Sequence, residues 1–177
     1  MPDFSLKTRL YVTSIVTILI WSLLAWNHYH GGVPSHHILA RKDLPEISNW
    51  WGGLLLPLLT WFLLYRVKKR INSNGDKILK VNVLYEFLAA LFFGMLLSTS
   101  FTFGFQIEDK MLMSVFLIAL FFPIYRAEYL LGFVLGMTFT FGAVLPTLIG
   151  SVLALISAVL YVYVRRVILY LVKKNKQ

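Results

Sequence analysis

VLYEFLAALFFGMLLSTSFTFGF, residues 83–105, carries a single formally charged side chain, Glu86, about one turn from its start. A basic segment, residues 68–82, comes before it, with Lys68, Lys69, Arg70, Lys77 and Lys80 around the turn signal Asn72-Ser73-Asn74-Gly75-Asp76. A short acidic turn, Gln106-Ile107-Glu108-Asp109-Lys110, follows. A helix needs roughly 20 apolar residues to cross the hydrocarbon core of a bilayer. Residues 83–105 fit that length, and both flanks are polar enough to stay in water. They read as a transmembrane helix.

Five more apolar runs extend the pattern in both directions. Residues 10–26 form the first, with Trp21 and Trp26 toward one end, where indole favours the membrane interface. Residues 50–67 open on Trp50-Trp51 and contain Pro57, which frees a backbone carbonyl one turn earlier. Residues 111–125 are followed by the tight turn Arg126-Ala127-Glu128. The apolar stretch from there to Val164 is too long for one helix and suits two. A break at Gly142 to Pro146 divides it into spans at 128–141 and 147–164. The expected fold is all-α: a polytopic integral membrane protein forming a single transmembrane domain over residues 1–177, with six transmembrane helices in three hairpins.

Charge sets the expected orientation. Of the 17 lysines and arginines, all but Arg41, Lys42 and Lys110 lie at the N-terminus, in every second loop or at the C-terminus. Cytoplasmic loops retain Lys and Arg, so the N- and C-termini and the basic loop 68–82 are expected to be cytoplasmic. The loop 27–49, which holds all four histidines, is then extracytoplasmic. The first apolar run ends in Ala25-Trp26-Asn27-His28-Tyr29 with no small-residue cleavage site, so it reads as a retained span.

Composition agrees. Hydrophobic residues make up 58% of the chain and charged residues 14%, against roughly half and a quarter in soluble proteins. The net charge of +9 lies beside apolar segments, where it serves orientation and contact with anionic lipid. No basic face carries interleaved aromatics outside a span, which argues against a nucleic-acid partner. With no cysteine, thiolate chemistry, disulfides and Cys-based zinc sites drop out. No phosphate-cradling loop or dinucleotide fingerprint occurs.

GMLLSTSFTFG (94–104) and GFVLGMTFTFG (132–142) align without gaps, six of eleven positions being identical. Both would end spans running outward, as parallel copies of one hairpin would. Transporter folds often contain such repeats; low-complexity membrane sequence also produces them by chance.

Chemical density is concentrated in the loop 27–49. His28, His30, His36 and His37 are candidate metal ligands, since neutral imidazole suits a divalent transition metal such as zinc. Asp43 or Glu46 would supply an oxygen ligand or an acid–base group. Their spacing fits no standard zinc pattern, and an interfacial loop rich in His, Tyr and Trp has the same composition. Below the loop, Trp50, Trp51, Ser98, Ser100, Thr138 and Thr140 are candidate substrate-binding residues, lining an outward-facing cavity. Ser48 or Asn49 would cap the second span, and Gly52-Gly53 would let a neighbouring helix approach. Glu86, Arg126 and Glu128 are expected to pair near the cytoplasmic side and pin spans three to five. No ionisable residue lies at mid-depth, where proton-coupled carriers place them.

These features suit a non-enzymatic small-molecule binding or transport component of a cell membrane. Membrane lipids, and another membrane subunit or a second copy, would be its partners. The alternatives are a metal-dependent enzyme acting on a lipid or lipid-linked substrate, in which a His-bound metal activates water, and a structural or assembly protein.

Overall fold

The computed structural model describes residues 5–37, 46–74, 77–105 and 108–166. Six helices make up nearly all of them: α1 (Leu6–Tyr29), α2 (Gly52–Asn74), α3 (Lys77–Phe103), α4 (Glu108–Phe121), α5 (Ala127–Phe141) and α6 (Val144–Val159). Between α1 and α2 lie two short strands, β1 (Ser35–His37) and β2 (Glu46–Ser48). They pair antiparallel, with Ser35 opposite Ser48 and His37 opposite Glu46.

Four helical stretches are long and apolar enough to cross a membrane: Leu6–Tyr29, Asn49–Ser73, Leu79–Phe103 and Val144–Val164. They mark the chain as a membrane protein. The expected helices at 111–125 and 128–141 are also present, but α4 has 14 residues and α5 has 15. At 1.5 Å per residue each is roughly 21–23 Å long.

Burial is what a bilayer solvent demands. Of the most apolar window of α1, only 17% is buried inside the protein. Tyr11, Ile18, Phe139 and Leu155 are among many large apolar side chains that point outward. The interior is a modest cluster around Leu24, Leu56, Val134, Met137 and Ala143. That much outward apolar surface suits a lipid surround, because water would penalise it.

Ser5 caps α1 by accepting from the Thr8 amide at 3.4 Å. The helix ends at Tyr29, and Gly31 and Gly32 turn the chain at φ 112° and 97°. The α2 helix then descends antiparallel to α1. Gly53 faces Leu24 and Trp21, and a Cβ there would lie 2.9 Å from Leu24 Cδ1. Gly52 meets Ala143, so the expected close packing at Gly52-Gly53 is present. The helix runs unbroken through Pro57.

The tightest contact in the fold joins α3 and α5. They run parallel: Gly132 sits against Phe87 and Leu91, Gly136 against Leu91 and Met95, and Phe101 against Phe141. A Cβ on Gly94 would lie 2.7 Å from the Phe133 carbonyl oxygen, and one on Gly132 or Gly136 would collide with the Phe87 or Leu91 carbonyl. Small residues four apart, Ala90/Gly94 and Gly132/Gly136, bring the backbones together. In lipid this packing replaces the missing hydrophobic drive between helices. The two echoed segments of sequence therefore lie side by side.

Two parallel helices joined in sequence require a return. Phe105 lies beside Ser100, donating its amide to the Ser100 carbonyl at 3.0 Å, whereas Tyr125 packs on Tyr161 beyond α6. The α4 segment covers the distance between those two ends. The chain then breaks where expected: α5 ends at Phe141, Gly142 adopts φ 70°, and α6 starts at Val144. Pro146 falls in the first turn of α6, where its missing N–H costs nothing. A π-helical turn, Leu160–Val164, continues α6.

Candidate functional site

Three groupings have chemical content. The first lies at the end of the bundle where α2 leaves and α3 enters. Arg126 Nη1 donates to Glu86 Oε1 at 3.2 Å, tying the α4–α5 turn to α3. Arg70 of α2 donates through Nη1 to Glu86 Oε2 at 2.9 Å and also pairs with Glu128 of α5, which is 2% exposed. The expected Glu86–Arg126 pair is present. Sequence reasoning missed Arg70, which resembles every other cation in the basic loop; its phase on α2 relative to the buried Val67 and Ile71 is the signal that separates it. Four alternating charges thus join α2, α3 and α5.

The second grouping, at the opposite end, holds the predicted loop residues. His28 packs edge-on against Trp50 at 5.9 Å and Tyr29 at 5.3 Å, and Trp50 meets Trp21 at 6.3 Å. His30 stacks on Trp26 at 3.9 Å, with Nδ1 2.9 Å from the Trp26 carbonyl oxygen. That contact engages Nδ1 alone and fixes the orientation of the ring. Trp51 is exposed. Ser48 caps the turn leading into α2 by accepting from the Trp50 amide at 3.4 Å. Ser35 donates to Glu46 across the strand pair. The side chains of His36 and His37, and the whole of Asp43, lie outside the described residues. Among the described residues no three His, Asp or Glu side chains converge as a metal would require.

The hydroxyl candidates serve the helices. Ser98 donates across the α3–α5 contact to the Gly136 carbonyl at 3.4 Å, and Ser100 donates to Phe105 at 2.9 Å. Thr138 bonds back to the Val134 carbonyl at 2.7 Å. Thr140 is half-buried on the same helix. Such back-bonding and cross-helix bonding is the ordinary use of Ser and Thr in lipid.

The third grouping is a cavity of about 260 Å³ between α3, α4, α5 and α6. Ala89, Ala90 and Phe93 line it from α3, Val115 and Ile118 from α4, Tyr129 and Phe133 from α5, and Gly150, Leu153, Ala154 and Ser157 from α6. None of Trp50, Trp51, Ser98, Ser100, Thr138 and Thr140 borders it. Its origin is visible in the residue sizes. The small side chains of Ala90, Gly150 and Ala154 face a space that α4 borders on the far side and that stays partly open to the surroundings. The walls are almost wholly apolar, and no charged side chain reaches them. Sequence reasoning looked for polar residues and so passed over a volume made by small ones.

No family model, curated protein or solved structure matches this chain. The chemistry of the site therefore rests on its own geometry.

Proposed function

We propose that this chain is a six-crossing membrane protein with cytoplasmic termini, acting as a non-enzymatic component that binds or carries a small apolar molecule. The α3–α6 cavity is its binding site. Helix direction supports six crossings. The parallel course of α3 and α5, with the opposite ends reached by Phe105 and Tyr125, calls for α4 to return between them. Charge supports the orientation: the Arg70 end carries the basic loop, and the opposite end carries the Trp and His rings suited to the headgroup level on the outer side. Lipids are its standing partners, and the outward faces of α1 leave room for another membrane subunit or a second copy.

The observation that carries this reading is the cavity itself. The hollow is partly open to the surroundings, so a small apolar molecule can reach it from the membrane side. Its volume of about 260 Å³ is close to the lower end of small-ligand pockets, and its apolar walls suit an apolar guest. The test is mass spectrometry of small molecules released from protein purified in lipid nanodiscs, comparing the wild type with Ala154→Phe, which fills the hollow. A compound retained by the wild type and lost from the variant supports the reading. Identical extracts from both would remove it.

A further inference from the structure

We propose that Arg9 and the outward stripe of α2 beside it hold one anionic phospholipid, in the leaflet at the Arg70 end of the bundle. Its phosphate meets the guanidinium and an acyl chain lies along the stripe. The site is separate from the α3–α6 cavity and goes beyond that reading.

Arg9 is a cation inside the α1–α2 contact, only 7% exposed. Its Nη2 donates to the Trp61 carbonyl at 3.1 Å. The guanidinium carbon stands 3.9 Å from the centroid of the Trp61 ring and 5.2 Å from that of Tyr65. Aromatic faces attract the charge without cancelling it. Among the described residues Arg9 has no carboxylate partner; the ion pairs there join Arg70 and Arg126 to Glu86 and Glu128. Its Nε is enclosed and unpartnered, whereas Nη1 is not among the enclosed atoms. A charged side chain in a membrane bundle is costly unless paired. Nη1 is the donor through which a counter-ion reaches it.

Depth and surroundings identify that counter-ion. Arg9 lies three residues after the start of α1 at Leu6, about 5 Å along the axis, so it stands near headgroup level. On α2, Leu54, Leu58, Phe62 and Tyr65 recur at spacings of four, four and three, and all are at least 49% exposed. From Tyr65 this stripe runs about 16 Å away from the Arg70 end, close to half of the roughly 30 Å hydrocarbon core. A soluble anion would pair with Arg9 and leave the stripe bare. A phospholipid matches both, because its phosphate is fixed above one leaflet's length of chain. Arg66, next to Tyr65, is exposed and adds a second positive charge at this level. A head of net negative charge is therefore preferred over a zwitterionic one, whose ammonium is repelled.

The experiment is photolabelling of the full chain in phosphatidylcholine nanodiscs. A small fraction of the lipid is phosphatidylglycerol or phosphatidylcholine, each carrying the same diazirine-bearing acyl chain, and adducts are mapped by mass spectrometry. Phosphatidylglycerol is expected to label Leu54, Leu58, Phe62 and Tyr65 about 5-fold more than phosphatidylcholine, the advantage of one cation at an anionic head. Arg9→Gln removes that preference while phosphatidylcholine still labels the stripe. Arg166→Gln, which removes an exposed cation at the end of α6, leaves the preference in place. Equal labelling by the two lipids in the wild type overturns the proposal without any variant. A preference that survives in Arg9→Gln overturns it as well. So does a preference lost equally in Arg166→Gln, which would trace it to the net charge of the chain.

Discussion

Removing Arg70 will destabilise this fold, and the structure supplies the magnitude. Arg70 pairs with both Glu86 and Glu128. Without it Glu86 keeps Arg126 at 3.2 Å, but Glu128, 2% exposed, loses its cation. Breaking a buried ion pair from one side costs about 3–5 kcal/mol, because the remaining charge is stranded. Arg70→Met is expected to lose that amount. Glu128→Gln leaves Arg70 on Glu86 and removes the buried charge itself, so it strands no ion and should cost less than Arg70→Met. The double variant strands nothing, so it should be no less stable than Arg70→Met and should recover much of the loss. Reversible SDS titration in mixed micelles, followed by tryptophan fluorescence, measures all four members of the cycle. A coupling of 2 kcal/mol or more is expected, well outside the ~0.5 kcal/mol of independent sites. Additive losses, with Arg70→Met costing under about 1 kcal/mol as for an exposed surface pair, would refute the reasoning.

Three further outcomes are expected. Gly132→Leu should destabilise by at least the 1–3 kcal/mol typical of overpacking, since even a Cβ at that position collides with the Phe87 carbonyl; an unchanged SDS midpoint would contradict the parallel α3–α5 contact. Gly142→Ala should cost about 1–3 kcal/mol from its positive-φ, extended backbone alone, and more because its Cβ would strike the Asn49 side chain; equal stability to wild type in the same titration would show that the α5–α6 turn is built differently. Ser157→Ala, in protein stripped of small molecules, should raise stability by up to about 1–3 kcal/mol by removing an unpartnered buried hydroxyl; a loss in that measurement would mean the hydroxyl has a partner in the empty protein.

Which parts of this account were legible in the sequence follows from the physics of each part. Helix existence depends on apolar length, so the third span and the Gly142–Pro146 break could be read directly; α3 ends within two residues of the expected limit but starts six residues early, at Lys77, because α2 and α3 extend into the basic segment 68–82. The Glu86–Arg126 pair was legible because isolated charges beside apolar runs have few possible partners. The role of Arg70 was not, since it depends on which face of α2 meets α5. The cavity was hidden for a similar reason. Ala90, Gly150 and Ala154 are unremarkable in any apolar helix, and only the tertiary placement of α4 leaves space opposite them. Of the polar candidates, Ser98, Ser100 and Thr138 hydrogen-bond to backbone carbonyls, and His28 packs on Trp50.

Six crossings require that the strand-pair end and the Arg70 end of the bundle lie on opposite faces of a membrane, with α4 crossing between them. Because the chain contains no cysteine, single substitutions at Ser35, Gly104, Ser73 and Tyr125 report the answer without background. Membrane-impermeant maleimide applied to intact cells should label positions 35 and 104, and should reach 73 and 125 only after permeabilisation. Labelling of 104 and 125 from the same side would contradict it.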